Sequence, residues 1–209
     1  FSDAAIRRDV DESRKRLGRE TLDLLYLHGP TTEQMARCLP VLNALKSERA
    51  VKAIGVCGEG EPLARAAVSA SFDAIMGVHN ILDRRNEDIF ANAKAAGVLT
   101  VAVAPLAQGL VDPAFYRPAS LADLWRIARA RFRRRYEAPQ VEAARQALGR
   151  EAPAARALGF VLANPAIDIV LTTTTKPRHL AASLAAAPLN REEFEALNAL
   201  ALDRPTGRS

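Results

Sequence analysis

Three histidines and two cysteines carry most of the intrinsic reactivity of this 209-residue chain at neutral pH, and two of those histidines close apolar runs. His28 follows Leu22-Asp23-Leu24-Leu25-Tyr26-Leu27 and precedes Gly29-Pro30, a pair that forbids the run from continuing as a strand. The carboxyl end of a parallel strand is where α/β enzymes keep their reacting groups. A ring nitrogen placed there either donates to a carbonyl oxygen as negative charge develops on it or simply caps the strand by bonding a loop carbonyl. His79 ends a second run and, together with His28, offers an acid–base pair or part of a metal site, although no carboxylates present themselves as the remaining ligands. Cys57 ends a third run. It is a nucleophile only if something lowers its pKa, and no neighbour in sequence does, so an inert thiol is the plainer reading. Thr172-Thr173-Thr174-Thr175 followed by Lys176 sits where a strand gives way to a helix. Such a segment offers hydroxyls, amides and a positive charge to a phosphate, and is equally an ordinary threonine-rich strand end.

Alternating helices and strands must position these residues. Ser2 caps a helix over 2–17 with Ile6, Val10, Ser13 and Leu17 on one face, and Gly18 ends it. The strand to His28 follows. Thr32 is placed to cap a helix over 32–49 that buries Met35, Leu39, Leu42 and Leu45, with Pro40 as a mild interruption. Strands are expected over 51–57, 74–78, 98–104 and 167–171, and helices over 62–69, 86–96, 154–163, 178–187 and 191–202. Strict alternation implies parallel strands with right-handed crossovers. No Gly-x-Gly-x-x-Gly follows any strand and no Gly-x-x-x-x-Gly-Lys-Ser/Thr is present, which removes the two phosphate-loop signatures of doubly wound sheets.

Composition sets the class. With 49% apolar and 25% charged residues the chain reads as one globular domain over 1–209. Its longest apolar run, 95–107, contains Thr100 and Pro105 and is short of the roughly 20 residues that cross a bilayer. Two cysteines without disulfide or zinc spacing fit a reducing cytoplasm. The net charge of +5 is concentrated: six of the ten residues over 126–135 are arginine. Leu121, Leu124, Trp125, Ala128 and Phe132 recur there at helical spacing, so the arginines form the outer face of an amphipathic helix, solvated or turned toward an anionic group. With 5% aromatics and no nucleic-acid module, nucleic acid is not the expected partner.

The segments Ser13-Arg14-Lys15-Arg16-Leu17-Gly18, Asp23-Leu24-Leu25-Tyr26-Leu27-His28, Ala53-Ile54-Gly55-Val56, Asn80-Ile81-Leu82-Asp83-Arg84 and Ala104-Pro105-Leu106-Ala107-Gln108-Gly109-Leu110 resemble, in order and spacing, the aldo-keto reductase family. Ala157-Leu158-Gly159-Phe160-Val161-Leu162-Ala163-Asn164-Pro165 and His179-Leu180 extend that resemblance over essentially the whole chain. The family fold is an eight-stranded β/α barrel, and this chain supplies what look like strands four to eight. An incomplete barrel of about five strands is therefore expected, with open edges that a longer product or self-association would cover.

The resemblance implies reduction of an aldehyde or ketone, or oxidation of a sugar or alcohol, with NADP(H) or NAD(H). It assigns His28 to the catalytic histidine; the family's tyrosine, lysine and aspartate have no counterpart in the matching segments. The cofactor positions fall on Cys57 and Gly58 (usually Ser-Asn), Met76 (usually glutamine), Val103 (usually aromatic), Thr173 and His179 (usually lysine and arginine) and Ser183 (usually asparagine). Leu106 and Gln108 match positions flanking the pyrophosphate, and Thr174, Thr175 and Lys176 stand beside them as anion-binding candidates. Two further readings follow from these departures: a family-derived binding or regulatory module without hydride transfer, and a cofactor-independent lyase or isomerase using His28 and His79. Asp83, Arg84 and Arg85 are expected to fix a loop by ion pairing, with an acidic substrate as the alternative partner of Arg84.

Overall fold

In the computed structural model the described residues are 1–110, 121, 124, 125, 128, 136–174 and 176–200. They divide into two compact units, Phe1–Gly77 with Asp88–Val101 and Val78–Glu87 with Ala102–Ser209. Five strands, β1 (Leu22–His28), β2 (Val51–Cys57), β3 (Ala74–Val78), β4 (Leu99–Val103) and β5 (Ile169–Leu171), lie in the order β1-β2-β3-β4-β5. This is a parallel α/β sheet in which each strand is laid beside its predecessor. Doubly wound sheets reverse direction at a switch point; an unbroken sequential order is that of a β/α barrel wall.

In the first unit, α1 (Asp3–Leu17) starts where Ser2 Oγ accepts from the Ala5 amide at 3.3 Å and stops at Gly18. Ile6 and Val10 are buried as expected, but Leu17 is exposed. The next helix, α2 (Thr32–Ser47), begins one residue earlier than the sequence implies. Thr31, not Thr32, is its cap: the Thr31 side chain accepts from the Gln34 amide and Gln34 Oε1 accepts from the Thr31 amide. This reciprocal box satisfies two amides that would otherwise have no partner. Pro40 lies inside an unbroken α2. Two further helices, α3 (Gly60–Ala67) and α4 (Glu87–Ala95), complete the alternation in this part of the chain.

One face of β1–β3 is sealed. Leu27, Ile54, Val56 and Ile75 are at most 3% exposed, and α1 packs on β1 while α2 and α3 pack on β2. Each such buried aliphatic side chain contributes about 1.5–3 kcal/mol. On the opposite face Leu22, Val51 and Ala74 are buried, whereas Leu24, Tyr26, Ala53, Cys57 and Met76 are half-buried.

In the second unit, α5 (Ala138–Leu148), α6 (Pro153–Leu162), α7 (Pro177–Leu184) and α8 (Arg191–Asn198) follow β4. A core joins Ile81, Leu82, Ala102, Leu148, Phe160, Val161 and Leu197. The helix over 138–148 is an addition to the elements that the sequence pattern implies; its signals are local, Glu137 as cap and Pro139 in the first turn. The arginine segment 126–135 lies outside the described residues apart from Ala128. Leu121, Leu124 and Trp125 are helical, as their spacing implies, but their 84%, 51% and 65% exposure corrects the expectation of an inward apolar face. The edge strand β5 is likewise more open than a core strand, with Ile169 47% and Leu171 48% exposed.

Candidate functional site

The carboxyl ends of β1 and β2 and the middle of β3 bring together three of the sequence-predicted residues. His28 pairs with Cys57, and Cys57 with Met76, so the three form one row across adjacent parallel strands. Side chains in a register row share a face, and this is the half-open face. Backbone bonds fix the row's outer limit: the Gly29 amide donates to Cys57 O at 2.7 Å and the Gly58 amide to Met76 O at 3.0 Å. Gly29 then leaves the strand at φ +62, a left-handed conformation costly for other residues. His28 is exposed, while Cys57, Gly58 and Met76 are half-buried.

One row deeper, Tyr26 pairs with Gly55. The Tyr26 hydroxyl is enclosed without a hydrogen-bond partner, and burial, with the neighbouring Cys57 adding to it, pushes its pKa up to about 12. The phenol therefore stays protonated. Burial also raises the Cys57 thiol, which speaks against a resident thiolate nucleophile. Tyr26 is not among the candidates that the sequence offers. Its period-two spacing from His28, which places both on one face of a strand, was the available signal.

The remaining candidates belong to the second unit. Val103 is half-buried at the end of β4, and its carbonyl accepts from the His79 amide at 3.2 Å. Beyond it, Ala104 and Ala107 hold positive φ of 56 and 46, strain of about 1–2 kcal/mol each. The Asn80 side-chain amide bonds Ala104 O at 3.0 Å and stabilises that turn. Leu106 packs on the core, and Gln108 lies in a short 3₁₀ turn, Ala107–Gly109. Thr173, Thr174 and Lys176 are exposed ahead of α7, with Thr174 Oγ1 accepting from the Lys176 amide at 3.1 Å. Thr175 lies outside the described residues. His179 is exposed and Ser183 half-buried, both on α7.

His79 is fully buried rather than displayed. It stacks on Phe160 with centroids 6.1 Å apart, and Asn164 Nδ2 lies 3.3 Å from its Nε2. Burial and the Arg84 charge lower its pKa to about 4 despite the opposing pull of Asp83, so the ring is neutral at physiological pH. Enclosure of this kind suits a structural histidine, not the proton-exchanging partner that a two-histidine lyase requires. Of the three charged residues expected to fix this loop by ion pairing, Asp83 and Arg85 pair at 2.8 Å. Arg84 donates to Asn198 O and Oδ1, both at 2.6 Å, and to Leu200 O at 2.8 Å, and so anchors the end of α8. Among the described residues no group of three His, Cys, Asp or Glu is arranged to hold a metal, and no helix is long and apolar enough to cross a membrane.

The chain is similar to several known proteins. The chain is similar to D-threo-aldose 1-dehydrogenase of a Pseudomonas species, 33% identical over 129 residues that cover 58% of this chain and 36% of that protein. It is also similar to the NADH-specific methylglyoxal reductase of Escherichia coli, 30% identical over 117 residues, 53% of this chain and 36% of that protein. These matches span little more than a third of each relative's length. Among solved structures, aldo-keto reductase AKR11C1 from Bacillus halodurans superposes with a TM-score of 0.76 at 25% identity, over 94% of this chain and 67% of that one. Sequential β/α order, a histidine closing β1 and a match of residues 1–202 to the aldo/keto reductase family model lead to one conclusion: the chain belongs to the aldo/keto reductase family.

Proposed function

We propose that the chain carries the hydride-transfer face of a nicotinamide-dependent oxidoreductase acting on a small aldehyde, ketone or sugar. The observation that supports this best is the position of His28, exposed at the carboxyl end of β1 and flanked by Cys57 and Gly58 at the end of β2. An imidazole there donates a hydrogen bond to a substrate oxygen and stabilises the charge that grows on it. The nicotinamide cofactor, NADP(H) or NAD(H), supplies the hydride when bound. In this reading the five β/α units form one barrel domain over 1–209, the last five of eight. The open edge residues Ile169 and Leu171 and the coverage of two thirds of the AKR11C1 chain support that assignment.

The residues present fit the cofactor unevenly. Exposed Thr173, Thr174 and Lys176 ahead of α7 suit its phosphates, with His179 and Ser183 further along that helix, and Leu106 and Gln108 follow β4 as pyrophosphate neighbours. At the row that would grip the carboxamide, Cys57 and Met76 present sulfur, a weak hydrogen-bonding element. Val103 brings no aromatic ring. Binding is therefore weak on the nicotinamide side, and the names of the relatives point to aldoses and methylglyoxal as the substrates to try. The two free thiols suit a cytoplasmic setting.

Calorimetric titration with NADPH and NADH tests the reading. Micromolar binding of either, with turnover of methylglyoxal or aldoses that falls by about 100-fold in His28→Ala, is the expected result. Failure to bind either cofactor overturns it. Binding without turnover favours instead a family-derived binding module, the reading that sulfur at positions 57 and 76 and valine at 103 also support.

A further inference from the structure

The row His28, Cys57, Met76 has a chemistry of its own. It sets an imidazole, a thiol and a thioether side by side on three adjacent strands, on the one face of β1–β3 that is not sealed by helices. We propose that these three side chains form a binding site for a single soft monovalent cation, Cu(I) or Ag(I).

Ligand type selects the metal. Thiolate and thioether sulfur prefer soft cations, and imidazole accompanies them in copper sites, whereas calcium and magnesium require several oxygen donors. No carboxylate lies in the row. Zinc in a structural site takes four thiolate, imidazole or carboxylate ligands, and the described residues contain no cluster of even three such groups.

Spacing agrees with low coordination. Neighbouring strands stand about 4.8 Å apart, so side chains at paired positions on one face reach toward a common point above the sheet. His28 and Cys57, paired in register, supply the two principal ligands. Met76, on the other side of Cys57, is unbranched and flexible enough to bring its sulfur over as the third. On binding, the Cys57 thiol exchanges its proton for the metal: the S–H bond breaks, an S–metal bond forms, and one proton goes to solvent. No electron is transferred.

Accessibility favours this row over the other soft side chains of the chain. Cys38 is 1% exposed and Met35 is 5% exposed, both inside the core beneath α2, whereas His28 is open and Cys57 and Met76 are half-buried. Half-burial excludes bulk water from part of the coordination sphere and leaves an entry path.

The 209-residue chain is titrated with Ag(I) by calorimetry, and its anaerobic Cu(I) form is measured by X-ray absorption at the metal edge. The expected result is one ion per chain and a ligand shell of one nitrogen and two sulfurs. Affinity is expected to fall by at least about 100-fold in Cys57→Ser and by about tenfold in Met76→Leu and in His28→Asn, and to hold in Cys38→Ala. Circular dichroism confirms that each variant is folded. Undiminished binding by folded Cys57→Ser overturns the proposal, because the ion then sits elsewhere. Wild-type affinity in both Met76→Leu and His28→Asn overturns it as well, because a lone thiol then suffices. The absorption spectrum uses the unaltered chain, so a shell with one sulfur is decisive even where a variant does not fold.

Discussion

The ring of Tyr26 lies against the bare backbone of Gly55, its register partner on β2: a Cβ built on Gly55 would stand 2.6 Å from Tyr26 Cε1 and 2.7 Å from the carbonyl oxygen of Ala74. Two strands and an aromatic side chain meet there without room for a methyl group. That contact supports the floor on which His28, Cys57 and Met76 stand.

Gly55→Ala is therefore expected to destabilise the chain by about 1–3 kcal/mol, because the Ala74 carbonyl belongs to the neighbouring strand and gives way less readily than the end of a side chain. Urea unfolding measures it; a midpoint equal to that of the wild type would mean that the strands part freely at this point.

Removing the Tyr26 hydroxyl acts in the other direction. The group is enclosed and has no hydrogen-bond partner, so Tyr26→Phe keeps the packing and relieves a desolvated donor. Stability is expected to stay level or to rise by about 1 kcal/mol. The raised Tyr26 pKa adds a pH signature. The folded state holds its proton up to about 12 while the unfolded chain releases it near 10, so stability contributed below pH 10 is lost as pH climbs from 10 to 12. Tyr26→Phe removes that component.

His79 has the opposite dependence. Its folded pKa of about 4 lies below the ordinary 6.5, so the unfolded chain binds the proton first. Stability is full above pH 6.5 and declines as pH falls toward 4, by an amount on the order of 3 kcal/mol. Urea midpoints measured from pH 7 to pH 4 should drop in the wild type and flatten in His79→Gln once its own lower baseline is subtracted. An equally steep drop in the variant would assign acid lability to other groups.

Arg84 binds the end of α8 through the backbone carbonyls of Asn198 and Leu200. Arg84→Ala leaves both carbonyls without that charged donor and is expected to cost about 1.5–3 kcal/mol. Loss of amide-exchange protection over 191–198, with protection over α1 and α2 unchanged, would locate the effect. The same geometry removes Arg84 from the list of groups free to meet an acidic substrate.

Local signals made much of the architecture legible. Alternating runs with Ser2, Gly18 and Gly29-Pro30 as punctuation placed five strands and most helices within a few residues, because caps and breakers act over one or two turns of chain. The helix over 138–148 is not legible in the sequence, because it follows a long excursion and its cap, Glu137, is not among the residues that usually announce one.

The sequence by itself determined the kind and order of the elements, the family resemblance, the positions of His28 and Cys57 at the ends of their strands and that of Met76 within its strand, all of which depend on local spacing. Which of these residues face one another is set by strand register, a long-range property, and only the tertiary structure decided it. Two histidines that close similar apolar runs have different fates for that reason. His28 stands open in a row with Cys57 and Met76, while His79 is buried against Phe160 and Asn164, residues about eighty positions away in the chain that no local pattern could bring to it.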